Sequence, residues 1–230
     1  MKKNTKKSIA VFDIDGTIFR GSLLIELDKA LVKYGIFPPI VEKEVENVYS
    51  LWVNRKGNYE DYINKVVKIH HSRLSGCSPK DVNKISRLVI KEQKERVYVY
   101  TRDLISQLRK THLLLAISGS PVEIVKVFAK KWRFDGYFAT EHEIVNKCYT
   151  EKISKLPVAD KKKTLLDFVE KNDLSLKKSI GVGDTESDVS FLKIVEEPIC
   201  FNPNKKLYDY AKKEKWQIVA ERKDVIYKIK

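Results

Sequence analysis

The chain has 230 residues, enough for one large domain or a domain with an insert, and its hydrophobic content of 43% excludes a globally disordered protein. The longest apolar runs, such as residues 113–117, are far too short to cross a bilayer, so we expect no membrane partner. The formal net charge of +14 would suit a nucleic-acid partner, but the lysines are dispersed and no nucleic-acid module is recognisable, so we expect a lysine-rich surface instead.

The first seven residues contain four lysines and are predicted to form a solvated basic tail. They do not resemble a signal peptide, because Asp13 and Asp15 interrupt any apolar segment behind them. The three cysteines, Cys77, Cys148 and Cys200, lack metal-ligand spacing and are expected to be free thiols in a reducing compartment. Together these features predict a cytoplasmic protein.

The first predicted element is a strand over residues 9–12, which ends in the sequence Asp-Ile-Asp-Gly-Thr at residues 13–17. No polar residue alternates through it, which is typical of a parallel strand covered on both faces. The carboxylates of Asp13 and Asp15 would repel each other unless one holds a proton or a cation such as Mg²⁺ lies between them. On this stretch alone, an ordinary turn with Gly16 at positive φ and Thr17 as a helix cap is the alternative.

Four amphipathic helices are predicted next, and their spans are residues 22–35, 40–55, 59–74 and 78–94. We expect residues 22–95 to form a separate helical cap domain over the strand ends, because one crossover helix normally suffices between parallel strands. Residues 1–21 and 96–230 would then form the core domain. His70 and His71 should point to different sides of the third helix, which argues against a shared metal site.

From Val97 onward, strands and helices alternate, which predicts an α/β fold with a doubly wound, Rossmann-like parallel sheet. The further strands are predicted at residues 113–117, 137–139, 179–182, 198–201 and 217–220. The further helices are predicted at residues 98–110, from 122 onward, at 161–171 and at 189–195. Residues 141–150 fit either an irregular excursion or a small hairpin.

Polar groups follow three of the predicted strands: the Asp13 pair, Ser118, and Asp184 with Asp188. A parallel sheet places the carboxyl ends of its strands at one edge, where ligands bind. Lysines at positions 161–163 begin the helix before the fourth strand and are near enough to add a cation. Carboxylates for a hard cation, a hydroxyl with turn amides, and a lysine together predict a phosphate site.

These motifs, in this order, resemble those of the haloacid dehalogenase superfamily of phosphohydrolases. The chain is most similar to the phosphoserine-phosphatase-like branch, which carries a helical cap after the first strand. Residues 13–17 resemble the first motif of the family and Ser118 resembles the second. A lysine stands for the third motif, and Gly183-Asp184 with Asp188 stands for the fourth.

The resemblance implies that Asp13 is the nucleophile, which forms an aspartyl-phosphate intermediate, and that Asp15 is the general acid and base. It also implies a Mg²⁺ ion held by Asp13, the Asp15 carbonyl and Asp184, with Asp188 supporting it directly or through water.

The same resemblance implies that Ser118, the Gly119 amide and a lysine bind the phosphoryl group. The spacing back from Asp184, with Leu165 and Phe168 on the buried face, favours Lys161 as this lysine, and Lys162 is the alternative.

The substrate is less well defined by the sequence. Phosphoserine phosphatases use a glutamate shortly after the first motif to bind the substrate ammonium, and Ser22 stands at the matching position here. This disfavours phosphoserine, although Glu26 lies one helical turn further on. Arg20 and Arg55 suggest a second anionic group on the substrate.

We therefore predict a Mg²⁺-dependent phosphatase that hydrolyses a small phosphorylated metabolite and acts as a monomer or homodimer. One alternative is a phosphotransferase that passes the aspartyl phosphate to another alcohol. The other is a basic nucleic-acid-associated protein on this fold, whose binding would fall steeply with salt.

Overall fold

The computed structural model describes residues 7–229, so the predicted basic tail lies outside the described residues except for Lys7. Eight strands are present: β1 (Ser8–Phe12), β2 (His112–Pro121), β3 (Gly136–Val145), β4 (Cys148–Lys155), β5 (Ser175–Gly183), β6 (Glu197–Phe201), β7 (Gln217–Arg222) and β8 (Val225–Ile229). The α-helices of this range are α1 (Leu23–Lys33), α2 (Ile40–Val53), α3 (Tyr59–Leu74), α4 (Pro79–Gln93), α5 (Val99–Leu108), α6 (Val122–Lys131), α7 (Lys161–Lys171), α8 (Val189–Leu192) and α9 (Lys205–Glu214). Single turns of 3₁₀ helix lie at Pro157–Asp160 and Glu186–Asp188.

The strands form one sheet in the order β4-β3-β2-β1-β5-β6-β7-β8. The six strands from β3 to β7 in this order run parallel, which confirms the predicted α/β fold with a doubly wound, mainly parallel sheet. The two outer strands, β4 and β8, are antiparallel to their neighbours. Residues 141–150 therefore form a hairpin, one of the two predicted alternatives, with Asn146 and Lys147 both at positive φ in its two-residue turn.

Helices cover both faces of the sheet, which explains why β1 contains no polar alternation. Ala10 and Phe12 face α5 and α6, whereas Ile9 and Val11 face α7, α8 and α9. All four side chains are fully buried. Because β1 lies at the centre of the sheet, its carboxyl end is fixed by packing on both sides.

The four predicted helices of the insert are present between β1 and α5, within a few residues of their predicted bounds. Apolar residues of α1 and α4 join the same buried cluster as the sheet. The α2–α3 pair contributes Val41, Ile69 and Leu74 to that cluster. It also packs around a smaller cluster with Tyr62 and Val66, where the Trp52 and Tyr62 rings stack at 5.5 Å. The outer part of the insert is therefore α2 with α3.

The sequence interpretation missed α9 and β8 and made α8 too long. Only Leu207 and Ala211 of α9 are buried among its charged residues, and every residue of β8 is exposed, so neither element shows a clear apolar pattern. The helix predicted at residues 189–195 ends at Leu192, because the chain must turn back to begin β6 at Glu197. No helix within residues 7–229 is long and apolar enough to span a membrane.

Candidate active site

A cavity of about 490 Å³ opens at the carboxyl ends of β1, β2 and β5. Asp13 and Asp15 reach it from the end of β1, Gly119 from β2, and Asp184 from the end of β5. The parallel register brings these strand ends together, as the sequence predicts. One face of α3 covers the cavity, and the β3–β4 hairpin forms its side.

Lys161, the first residue of α7, lies between two carboxylates. Its Nζ is 2.7 Å from Asp13 Oδ1 and 2.6 Å from Asp188 Oδ1, and the side chain is only 2% exposed. Burial alone would lower the pKa of Lys161, but the charges of Asp13 and Asp188 outweigh it and raise the pKa above its usual value. Lys162 is exposed, so the geometry favours Lys161 of the two candidate lysines.

Three carboxylates meet beside this lysine. Oxygens of Asp13, Asp184 and Asp188 all lie within 4.8 Å of one another, and only one buried cation, Lys161, faces them among the residues that the structure describes. Desolvation, followed by the charges of Asp188 and Asp15, raises the pKa of Asp13 to about 8 despite the attraction of Lys161. Desolvation and the neighbouring carboxylates also raise the pKa of Asp184. The three carboxylates therefore outnumber the one neighbouring cation, and a metal ion that replaces their protons could bind among them.

Backbone amides hold Asp188 in place. Its Oδ2 accepts hydrogen bonds from the amides of Asp184 and Thr185 at 3.0 and 3.1 Å, while Oδ1 accepts from Lys161. Asp188 is completely buried, and a Cβ on Gly183 would overlap it. Asp188 thus ties Lys161 to the loop that carries Asp184.

Asp15 accepts three hydrogen bonds at the start of α1. The amide of Leu23 donates to Oδ1 at 2.5 Å, and the hydroxyls of Ser118 and Ser120 both donate to Oδ2 at 2.8 Å. Desolvation raises the pKa of Asp15, although these hydrogen bonds oppose the shift. A carboxyl group with a raised pKa suits a residue that must both donate and accept a proton.

Ser118 is fully buried and uses its hydroxyl hydrogen on Asp15, whereas Gly119 and Ser120 line the cavity. The Thr140 hydroxyl donates to the Gly119 carbonyl at 2.8 Å and so orients that peptide. Sequence reasoning missed Ser120. The spacing between Ser118 and Ser120 could have indicated it, because residues two positions apart lie on the same face of an extended strand.

Asn204 is a second site residue that the sequence analysis missed. It lines the cavity, caps α9 through Leu207, and donates its backbone amide to the Asp184 carbonyl at 2.8 Å. The available signal was an asparagine placed shortly after the apolar strand β6 and directly before a run of helix-forming residues.

The two arginines singled out from the sequence lie away from the cavity. Arg20 is exposed, with its guanidinium carbon 5.5 Å from the centre of the Tyr98 ring, and Arg55 is exposed on the insert. Glu26 does not line the cavity either, because it pairs with Arg96 at 3.3 Å. Ser22 does line it, as the N-cap of α1. The prediction that Arg20 or Arg55 contacts a second anionic group is therefore not supported.

We expect Gly16→Ala to weaken divalent-cation binding roughly 10- to 100-fold, because this is the usual effect of changing a residue that positions a metal-ligating side chain. Gly16 has φ +83°, and a Cβ there would overlap the Asp184 carboxylate. Gly35→Ala is the matched control, since Gly35 has φ +72° and a Cβ there would meet nothing within 4 Å. Both variants incur left-handed strain of about 1–2 kcal/mol. Calorimetric titration with Mg²⁺ measures the difference, and equal affinities would contradict the expectation.

We also expect the metal-free protein to lose stability as the pH rises from about 4 to about 8. Asp13, whose pKa is raised to about 8, keeps a proton in the folded state that the unfolded chain has already released. A bound divalent cation would favour the ionised carboxylates, so Mg²⁺ should raise the melting temperature more at pH 8.5 than at pH 5.5. Thermal denaturation in Mg²⁺ and in EDTA at both pH values checks this, and a pH-independent effect of Mg²⁺ would contradict it.

Sequence comparison gives one clear match. The family model described as haloacid dehalogenase-like hydrolase matches residues 10–193, a range that includes Asp13, Asp15, Lys161, Asp184 and Asp188 but not Asn204. A search of curated protein sequences found no significant match.

Solved structures share the fold at low sequence identity. A protein of unknown function from Bordetella pertussis Tohama I is 18% identical with a TM-score of 0.74, over 93% of this chain and 98% of that one. A phosphoserine phosphatase solved as a phospho-aspartyl intermediate analogue is 22% identical with a TM-score of 0.63, over 96% of each chain. A substrate-bound phosphoserine phosphatase complex is 21% identical with a TM-score of 0.64, also over 96% of each chain.

Proposed function

Because the chain belongs to the haloacid dehalogenase-like hydrolase family, we propose that it is a Mg²⁺-dependent phosphatase that hydrolyses a small phosphomonoester through an aspartyl-phosphate intermediate. The observation that carries this proposal is the buried cluster at the strand ends. Lys161 lies between Asp13 and Asp188, and Asp184 stands beside them. The phosphoserine phosphatases with the same fold support it.

Asp13 is the nucleophile in this proposal. One of its carboxylate oxygens attacks phosphorus, the new bond joins Asp13 to phosphorus, and the bond from phosphorus to the alcohol oxygen breaks. The Lys161 ammonium, 2.7 Å from Asp13 Oδ1, orients the carboxylate and offsets the negative charge of the phosphoryl group. Splitting the reaction in two avoids direct attack of water on an anionic ester.

Asp15 moves the protons. It donates a proton to the departing alcohol oxygen, and it then takes a proton from the water that attacks phosphorus in the second step. That attack breaks the bond between Asp13 and phosphorus and releases inorganic phosphate. Asp13 is again a free carboxylate, and Asp15 is again protonated. The hydroxyls of Ser118 and Ser120 and the amide of Leu23 fix the orientation of Asp15 during both transfers.

The phosphoryl oxygens are bound at the end of β2 in this proposal. Gly119, which is exposed to the cavity, offers its backbone amide to them, and the Lys161 ammonium adds a positive charge. The resemblance also implied that Ser118 binds the phosphoryl group, but Ser118 is buried outside the cavity lining, and its hydroxyl donates to Asp15 and accepts from the Ser120 amide. Ser118 therefore positions Asp15 and Ser120, and the Gly119 amide and Lys161 replace water around the phosphoryl group.

The donor set fits Mg²⁺, because it consists of hard carboxylate oxygens that outnumber the one neighbouring lysine. Asp13, Asp184 and the Asp15 carbonyl would hold the ion, with Asp188 in support. Such an ion lets the anionic nucleophile approach an anionic ester.

Residues 22–95 would act as the cap domain and residues 1–21 with 96–230 as the core. The face of α3 that covers the cavity supports this division. Closure of this cap over a small ester would exclude bulk water from the first step.

Hydrolysis of phenyl phosphate with Mg²⁺ and with excess EDTA tests the proposal. We expect release of inorganic phosphate that needs Mg²⁺. Quantifying phosphate and phenol separately, with glycerol present as an acceptor, distinguishes hydrolysis from transfer, because a phosphotransferase would release more phenol than phosphate. Folded protein that releases neither product would contradict the proposal.

A further inference from the structure

The cavity extends beyond the reaction centre into a chamber with apolar walls. We define this alcohol chamber by Leu24, Ile63 and Val67 on one side and Ile153, Leu156 and Val158 on the other. Ile63 and Val67 lie on one face of α3, four residues apart, and the other wall comes from β4 and the turn after it. A phosphate held at Asp13 would direct the rest of its ester into this chamber.

The alcohol chamber contains no basic side chain with a free charge. Within residues 7–229, Lys161 is the only lysine or arginine that lines the cavity, and it is held at the reaction centre by its pairs with Asp13 and Asp188. A carboxylate or a second phosphate on the substrate would therefore lose its hydration without gaining a counter-charge, which is strongly unfavourable.

The carboxylates around the cavity are also occupied. Glu60 on α3 and Glu186 near its mouth both pair with Lys206, at 2.7 and 2.8 Å. The remaining acidic side chains, Asp13, Asp15 and Asp184, belong to the reaction centre. A substrate ammonium inside the alcohol chamber would therefore have no partner unless it displaced Lys206 from Glu60 or Glu186.

Neutral polar groups do face the cavity. Asn64 and His71 line it from α3, and Thr140 lines it from β3. The His71 ring packs edge-to-face against His142 with centroids 4.8 Å apart, and burial together with nearby His70 lowers the pKa of His71. These groups can bond a hydroxyl or an amide without requiring a charge on it.

We propose that the substrate is a phosphomonoester whose alcohol part carries no charge, with an apolar body against Ile63, Val67 and Leu156 and hydroxyl or amide groups toward Asn64 and His71. This inference rests on the proposed function and deepens it. It disfavours phosphoserine, whose carboxylate would have no counter-charge and whose ammonium would have to displace Lys206. A cavity of about 490 Å³ has room for a small metabolite of this kind.

Matched aryl phosphates test the inference directly. The first pair is 4-carbamoylphenyl and 4-carboxyphenyl phosphate, which are nearly equal in shape but differ by one negative charge. The second pair is 4-(hydroxymethyl)phenyl and 4-(aminomethyl)phenyl phosphate, which differ by one positive charge. We expect kcat/KM to be roughly 100-fold higher for the neutral member of each pair, since the charged member must be desolvated without a partner.

Val67→Arg adds the missing cation to the alcohol chamber and should reduce the preference for the carbamoyl ester over the carboxyl ester at least 10-fold. Ser72→Arg is the matched control, because it adds the same charge at an exposed position of α3 that does not line the cavity, and it should keep the preference. If Val67→Arg fails to fold, the comparison of the two ester pairs with the unaltered protein still tests whether the site prefers an uncharged alcohol.

Equal kcat/KM within both pairs, or a preference for a charged ester, would overturn this inference and leave the proposed function standing. No turnover of any ester with Mg²⁺ would instead overturn the proposed function, and this inference with it.

Discussion

Asp13→Asn is expected to abolish phosphatase turnover, with kcat falling by roughly 10⁴-fold or more, as happens when a covalent nucleophile is removed. An amide is a far weaker nucleophile than a carboxylate, and the variant also loses the charge that pairs with Lys161. Steady-state release of phosphate from phenyl phosphate measures the effect. Asp167→Asn is a suitable control, because Asp167 is exposed on α7 and lies outside the cavity.

Asp15→Asn should separate the two proposed steps, which are phosphorylation of Asp13 and hydrolysis of the aspartyl phosphate. Aryl phosphates have good leaving groups, so phosphorylation of Asp13 should persist in this variant, whereas hydrolysis of the aspartyl phosphate should be slowed for lack of a base. Acid-quenched protein incubated with a ³²P-labelled ester should therefore retain label that hydroxylamine removes. Asp13→Asn should retain none. Label in Asp13→Asn, or its absence from a slowed Asp15→Asn, would contradict the assigned roles.

Lys161→Met should destabilise the metal-free protein by roughly 3–5 kcal/mol, because it leaves buried carboxylates without their cation. Asp13 and Asp188 both depend on this one ammonium group, and Lys161 is nearly completely buried. Lys162→Met removes the same charge from the neighbouring exposed position and should change the free energy of unfolding by less than about 0.5 kcal/mol. Urea denaturation in EDTA at pH 8 compares the two variants.

The double variant Lys161→Met/Asp188→Asn then tests whether unpaired carboxylates cause the loss of stability in Lys161→Met. It removes one of the two unpaired carboxylates, while the asparagine oxygen can still accept from the amides of Asp184 and Thr185. We expect it to recover part of the lost stability, and Mg²⁺ should also stabilise Lys161→Met. If Lys161→Met and Lys162→Met are equally mild, the buried ion pair does not stabilise this site.

The ion bridge at the mouth of the cavity connects the insert to the core. Lys206 on α9 pairs with Glu60 on α3 and with Glu186 beside the reaction centre. All three side chains are at least partly exposed, so the bridge adds little stability. Its consequence is chemical, because a cationic substrate must displace Lys206 to pair with either glutamate.

Local patterns in the sequence determined most of the fold and the carboxylates of the candidate site. The apolar run before Asp13 predicted a central strand, and the parallel arrangement required Asp13, Asp15 and Asp184 to meet at one edge. The helices of the insert were predicted within a few residues, because a cap such as Ser22 and an apolar period of 3.6 residues are local signals. Elements with few buried residues, α9 and β8, gave no such signal.

Tertiary packing decided what surrounds those carboxylates. Lys161 and Lys162 differ by one residue, about 100° around α7, so only the docking of that helix against the sheet selects the buried one. Ser120 and Asn204 entered the site, and Arg20 and Arg55 stayed outside it, because of how separate elements approach each other. The uncharged walls of the alcohol chamber likewise come from α3 and a hairpin about ninety residues apart in the chain. Spacing along a chain fixes periodicity within an element, whereas distances between elements are set by packing of the folded core.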